Sequence, residues 1–99
     1  DPWLNTLRVE IRIAAGELDA ARKLCEQAIA DSPDELELYW CRLGLAVKEQ
    51  AHDDVTKWLI EINSRFEVEF DDLTTVPEYS DYVQSAAYQK WLAHLKRQP

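Results

Sequence analysis

Residues 4–28 read LNTLRVEIRIAAGELDAARKLCEQA, and residues 38–62 read LYWCRLGLAVKEQAHDDVTKWLIEI. Laid over each other at a shift of 34, apolar positions meet apolar positions. Leu4, Leu7, Val9, Ile11 and Ile13 fall on Leu38, Cys41, Leu43, Leu45 and Val47, and Ala21, Leu24, Cys25 and Ala28 fall on Val55, Trp58, Leu59 and Ile62. Arg8 with Arg42, Asp19 with Asp53 and Lys23 with Lys57 are identical at the same shift, so the period reaches the polar side of the pattern. A repeat of this length marks a helix-turn-helix unit that buries its apolar face only by stacking on a neighbour.

Within the first copy, Leu4, Leu7, Ile11 and Ala14 recur at steps of three and four, the spacing of one helix face. Gly16 stops that helix, and Leu18, Ala21, Leu24, Cys25, Ala28 and Ile29 form a stripe wide enough to pack on two neighbours. The run Ser32, Pro33, Asp34, Glu35 predicts a capping box, with Ser32 as N-cap, Pro33 in the first helical position and Glu35 reaching back. In the third helix Leu38, Cys41, Leu45 and the Arg42 stem face inward, and the link Gln50-Ala51 takes the place of Gly16-Glu17. Val55, Trp58, Leu59 and Ile62 are the buried stripe of the fourth. The predicted helices are 3–15, 17–30, 33–49 and 52–65.

Beyond Phe66 the period lapses. Phe70, Leu73 and Val76 predict a short helical turn, Pro77 opens a second one with Tyr79, Tyr82 and Val83, and Ser85 caps a last helix with Tyr88, Trp91, Leu92 and Leu95 on one face. This aromatic segment is the expected cover for the last apolar face of the array. The fold class is therefore all-α, with two repeats over 1–66 and a helical cap over 67–99 in one structural domain. The chain opens on Asp1 and holds no Met, which suggests a piece of a longer protein.

Composition narrows the functions. With 46% hydrophobic and 30% charged residues the chain reads as a globular protein, and two glycines with four prolines favour long helices. No apolar run approaches the roughly 20 residues that cross a bilayer. Nineteen acids against 11 bases give a net charge of −8, which opposes nucleic acid and anionic membranes, since affinity for both comes from clustered Lys and Arg. Glu67, Glu69, Asp71, Asp72, Glu78 and Asp81 lie between Arg65 and Lys90 with no base among them; they read as a solvated acidic face or as a steering field for a basic partner. Cys25 and Cys41 both sit at apolar positions, so buried reduced thiols and a cytoplasmic location are expected.

The search for chemistry returns little, and the expectation is no enzyme, no cofactor and no metal. His52, Asp53 and Asp54 are adjacent at a helix start and fan apart, with capping and the helix dipole sufficient to explain the acids. His94 lacks a second ligand at three- or four-residue spacing and reads as a surface histidine. Cys25 lies in an apolar stripe away from any base. Gly16 and Gly44 are isolated, which excludes a glycine-rich phosphate loop.

The stretch from Gly16 to Ile29, closed by Pro33, resembles the second helix of a tetratricopeptide repeat. It has a small residue at Ala21, a large one at Cys25, a small one at Ala28, and Gly16 at the turn. The first helix matches through Leu4 and Leu7 without the family's Gly-Tyr pair. The second repeat departs further, with Val55 and Ile62 in place of alanines, Gln50 in place of glycine and no proline after the fourth helix. The segment from Phe70 to Leu92 is similar to the closing segments of bacterial tetratricopeptide proteins.

The resemblance implies an α-solenoid fragment whose first helices line a groove for peptide segments of other proteins. By position the groove is Trp3, Thr6, Glu10 and Ile13 with Glu37, Trp40, Gly44 and Val47. Thr6, Glu10 and Cys41 stand where a clamp for a chaperone's C-terminal carboxylate has Lys and Asn, so that ligand class is not supported. Trp40 is either an aromatic anchor for a partner or a residue covered by the rest of the chain. Two functions follow: a non-catalytic adaptor that binds a peptide segment of a partner protein, or a structural domain that packs on other domains of its own chain or self-associates.

Overall fold

The two runs of matching hydrophobic spacing each form a pair of helices joined by a tight turn. The computed structural model describes residues 2–98, and every regular element among them is helical: α1 (Pro2–Ala14), α2 (Leu18–Asp31), α3 (Leu36–Lys48), α4 (His52–Phe66) and α5 (Ala86–Lys96). Single turns of 3-10 helix at Leu73–Thr75, Pro77–Tyr79 and Tyr82–Gln84 lie between α4 and α5. The chain divides into two compact units, Asp1–Leu45 and Ala46–Pro99, with the boundary inside α3.

The 34-residue period reappears in the backbone hydrogen bonds. After α1 the Gly16 N–H donates to Ile13 O at 3.0 Å and the Glu17 N–H to Arg12 O at 2.9 Å. After α3 the Gln50 N–H donates to Val47 O at 3.1 Å and the Ala51 N–H to Ala46 O at 3.0 Å, each partner displaced by the same 34 positions. The next helix then starts alike, from Ala21 N to Glu17 O in one copy and from Val55 N to Ala51 O in the other. This pair of bonds is a Schellman closure, which needs a left-handed residue at its corner. Gly16 takes φ +78° freely, while Gln50 takes φ +54° with a Cβ, a conformation that costs roughly 1–2 kcal/mol. The Gln50 side chain donates from Nε2 to Asp81 Oδ2 at 2.8 Å, a contact that glycine could not make.

The capping box at Ser32 is corrected. Ser32 closes α2 through its own N–H to Ala28 O, and α3 begins only at Leu36. Pro33 and Asp34 form a turn instead, and the Tyr39 hydroxyl donates to Pro33 O at 2.8 Å, fixing that turn from inside α3. A serine followed by proline and acids satisfies the local pattern of a cap, but the segment closes as a turn through the Glu35 N–H to Ser32 O at 3.2 Å.

In the first unit Val9 of α1, Ala21 and Cys25 of α2 and Leu45 of α3 form the buried cluster, with Ile13, Leu18, Ile29 and Cys41 packed against it. The Cys25 thiol donates to Leu38 O at 3.2 Å, which spends the donor on the α3 backbone. The face expected of α1 is partly corrected: Val9 is buried, whereas Leu4, Leu7, Ile11 and Ala14 are exposed.

In the second unit α5 packs on α4. Val55, Trp58, Leu59 and Ile62 are buried as the period requires, together with Tyr88 and Trp91 of α5. The Thr56 hydroxyl, itself buried, donates to Ala87 O at 2.8 Å and shares a hydrogen bond with the Tyr82 hydroxyl. Burial lifts the Tyr82 hydroxyl from 10.0 to about 12. Phe70 meets Trp91 edge-on at 5.5 Å.

Two expectations for the tail change. Ser85 precedes α5 but its Oγ donates backward to Tyr82 O at 2.6 Å and makes no side-chain cap. His94 is half-buried, stacked on Trp91 at 5.6 Å and hydrogen-bonded to Asn63 Oδ1 at 2.9 Å. Asn63 also donates to Val68 O and accepts from Gln98, so one α4 amide gathers three segments of the tail.

Candidate partner-binding face

Helix spacing sets Trp3, Thr6, Glu10 and Ile13 along one line of α1, and Glu37, Trp40, Gly44 and Val47 along one line of α3. Packing of both helices on α2 then decides which of them meet. Cys41, half-buried on α3, lies close enough to Glu10 of α1 and Glu37 of α3 for both carboxylates to raise its pKa, after burial as the larger cause. Both carboxylates thus lie within electrostatic range of this thiol. Ile13 is half-buried here against the Val9, Ala21, Cys25 and Leu45 cluster.

Around that centre Glu10, Glu37 and Gly44 are exposed and Thr6 is half-buried. Trp40 keeps 37% of its surface exposed, so the indole is neither enclosed nor free-standing. A Cβ added at Gly44 would meet nothing within 4 Å, so open space lies beside the tryptophan on the next turn. Trp3 is 68% exposed near the start of α1. Val47 is half-buried but lies past Leu45, in the second unit, and is set aside from the face of the first.

The arrangement combines two carboxylates, a partly exposed indole, a half-buried isoleucine and the exposed Gly44. Burial pushes the Cys25 thiol from 9.0 up to about 12, with Cys41 and Glu26 adding to the rise and Arg42 opposing it. A thiol held in its protonated form is a poor nucleophile. Both cysteines are free, but the sequence expectation of two buried thiols holds fully only for Cys25. Among the described residues no group of three or more His, Cys, Asp or Glu side chains is placed to hold a metal, and no helix is long and apolar enough to cross a membrane.

The nearness of Glu10 and Glu37 to Cys41 escaped sequence reasoning, which placed Cys41 in the core stripe. Carboxylates at positions 10 and 37 are visible in the chain, but their approach depends on how α1 and α3 share α2. Arg42 was read as inward-facing, and it is: buried, with Nε 3.7 Å from Glu26 Oε1 of α2. His52 does not fan outward with the two acids; it is half-buried against the edge of Tyr82 at 6.0 Å. No family model, no curated protein and no solved structure matches the chain.

Proposed function

We propose that this chain is a non-catalytic protein-interaction module of tetratricopeptide type, and that the α1/α3 face holds an extended segment of a partner protein. The observation that supports the reading is the exposure of Glu10, Glu37 and Trp40 on α1 and α3 of one compact unit, with both carboxylates in electrostatic range of the half-buried Cys41. An acidic, aromatic face of this kind suits a segment with a basic residue for the carboxylates and an apolar anchor for the indole and the Gly44 gap. Charge sets the encounter rate and the register, and burial of the anchor holds the complex.

Selection of a random peptide display library on the 99-residue chain tests this. The expected consensus pairs Lys or Arg with a large apolar residue, and Trp40→Ala weakens the selected peptides by about 2 kcal/mol, or about 30-fold in Kd. Helical content by circular dichroism stays unchanged, because the indole is not part of the buried cluster. Peptides that bind the Trp40→Ala chain equally well, or a library with no enrichment, overturn the reading.

A further inference from the structure

The repeat supplies its own control for what an apolar face is for. At the 34-residue shift Leu4, Arg8, Ile11 and Leu24 correspond to Leu38, Arg42, Leu45 and Trp58. In the second copy these positions are closed: Leu38 is 0% exposed, Leu45 1% and Trp58 6%. In the first copy they are open, with Leu4 at 42%, Ile11 at 58% and Leu24 at 36%, and Leu7 beside them is exposed too. Within the first unit it is the α1/α2 pair that receives Leu45, between Val9, Ala21 and Cys25. The same code therefore exists twice, and for Leu45, within the first unit, the cover is the preceding helix pair.

Charge points the same way. Arg42 is buried with Nε 3.7 Å from Glu26, a carboxylate on the second helix of the preceding pair. Its counterpart Arg8 is exposed and lines, with Ile11, Arg12 and Leu24, a depression of about 300 Å³. A second depression, of about 460 Å³, continues from Arg12 and Leu24 to Ala20, Lys23 and Gln27. The rim of this apolar surface carries Arg8, Arg12 and Lys23, of which Arg12 is paired with Glu17 at 2.5 Å, in a chain of net charge −8. Two copies meeting through the same face would oppose these bases to one another. In the second unit Val55, Leu59 and Ile62, the counterparts of Ala21, Cys25 and Ala28, are buried and offer no comparable surface.

We infer that Leu4, Leu7, Arg8, Ile11 and Leu24 form a stacking surface for one further helix pair of the same repeat pattern, whose second helix presents small apolar residues and a carboxylate that meets Arg8. The surface is separate from the Trp40 face, so the two readings stand or fall independently.

A chain carrying a second copy of residues 1–34 fused ahead of Asp1 is the probe, because the added copy brings Ala21, Cys25, Ala28 and Glu26 to the face that needs them. Amide hydrogen exchange in the original α1 slows at least tenfold in the fused chain, and Ile11→Asp in the original copy abolishes the slowing. Glu26→Lys in the added copy removes part of it. Ile11→Asp in the unfused chain leaves the melting temperature near its starting value, which separates lost stacking from lost folding. Unchanged exchange on fusion, or slowing that survives Ile11→Asp, overturns the inference. A dimer of the unfused chain that Ile11→Asp dissociates overturns it as well, since a second copy would then be the occupant.

Discussion

Helix α2 offers Ala21, Cys25 and Ala28 where α4, at the same places in the repeat, offers Val55, Leu59 and Ile62. The two helices enter through the same turn and are covered differently. The small residues of α2 let a backbone approach, so that Cys25 reaches the Leu38 carbonyl and Leu45 enters the cluster. The larger residues of α4 share a unit with α5, whose packing is pinned by the Thr56 hydroxyl on the Ala87 carbonyl and by Tyr82. The period fixes the hairpin, and residue size at three or four positions selects what can lie against it.

The contrast breaks most visibly by removing bulk from one unit and adding it to the other. Trp91→Ala deletes a side chain 2% exposed between Phe70 and His94. A loss of about 3–5 kcal/mol in denaturant unfolding is expected. Ala21→Leu acts in the opposite sense, forcing a larger side chain among Val9, Cys25 and Leu45 at a position that is 0% exposed. Overpacking there costs about 1–3 kcal/mol. A melting temperature unchanged by the second substitution would mean that α2 does not pack through its small residues.

Alkaline titration sharpens the same contrast, because burial raises a thiol and a phenol furthest, one in each unit, with Cys41 and Tyr79 raised beside them. The Cys25 thiol rises from 9.0 to about 12 and the Tyr82 hydroxyl from 10.0 to about 12. In both cases the folded chain holds the proton more tightly than the unfolded chain, so the stabilisation is complete below the ordinary pKa and is lost as pH climbs toward the folded value. Stability measured by urea midpoints should start to fall near pH 9, and Cys25→Ala should make the fall between pH 9 and 10 shallower, leaving the part due to Cys41 before Tyr82 begins to contribute. A slope between pH 9 and 10 that Cys25→Ala leaves unchanged assigns the decline to other groups.

The smallest expected effect lies in the turns. Gln50→Ala retains the left-handed corner and loses the bond to Asp81, whereas Gln50→Gly loses the bond and relieves the corner. The glycine variant should be the more stable of the two by about 1 kcal/mol. Equal midpoints would mean that the second turn has relaxed out of the conformation shared with Gly16.

The hairpins were legible because their signal is redundant: nine apolar pairs and three identical polar ones point to a single shift. The start of α3 was not, because Ser32 to Glu35 carries a local cap pattern and yet closes as a turn, to which Tyr39 adds a bond at Pro33 from six residues on. The tail was legible as an aromatic helical segment and no further. His94 shows why, since its fate depends on Asn63, 31 residues earlier in a different helix. Of the candidate face, the residue positions could be read from helix spacing, while the meeting of Glu10 and Glu37 at Cys41 required the tertiary packing of α1, α2 and α3.

The unequal burial of the two cysteines gives the first unit a chemical addressing system. Cys25 is enclosed and its hydrogen is committed to Leu38, while Cys41 is half-buried at the meeting of Glu10 and Glu37. An alkylating dye applied to the native chain above neutral pH is steered to position 41 by access alone, with no cysteine to add or remove. A fluorophore installed there sits next in sequence to Trp40, within the field of Glu10 and Glu37, and its emission would report changes around that thiol.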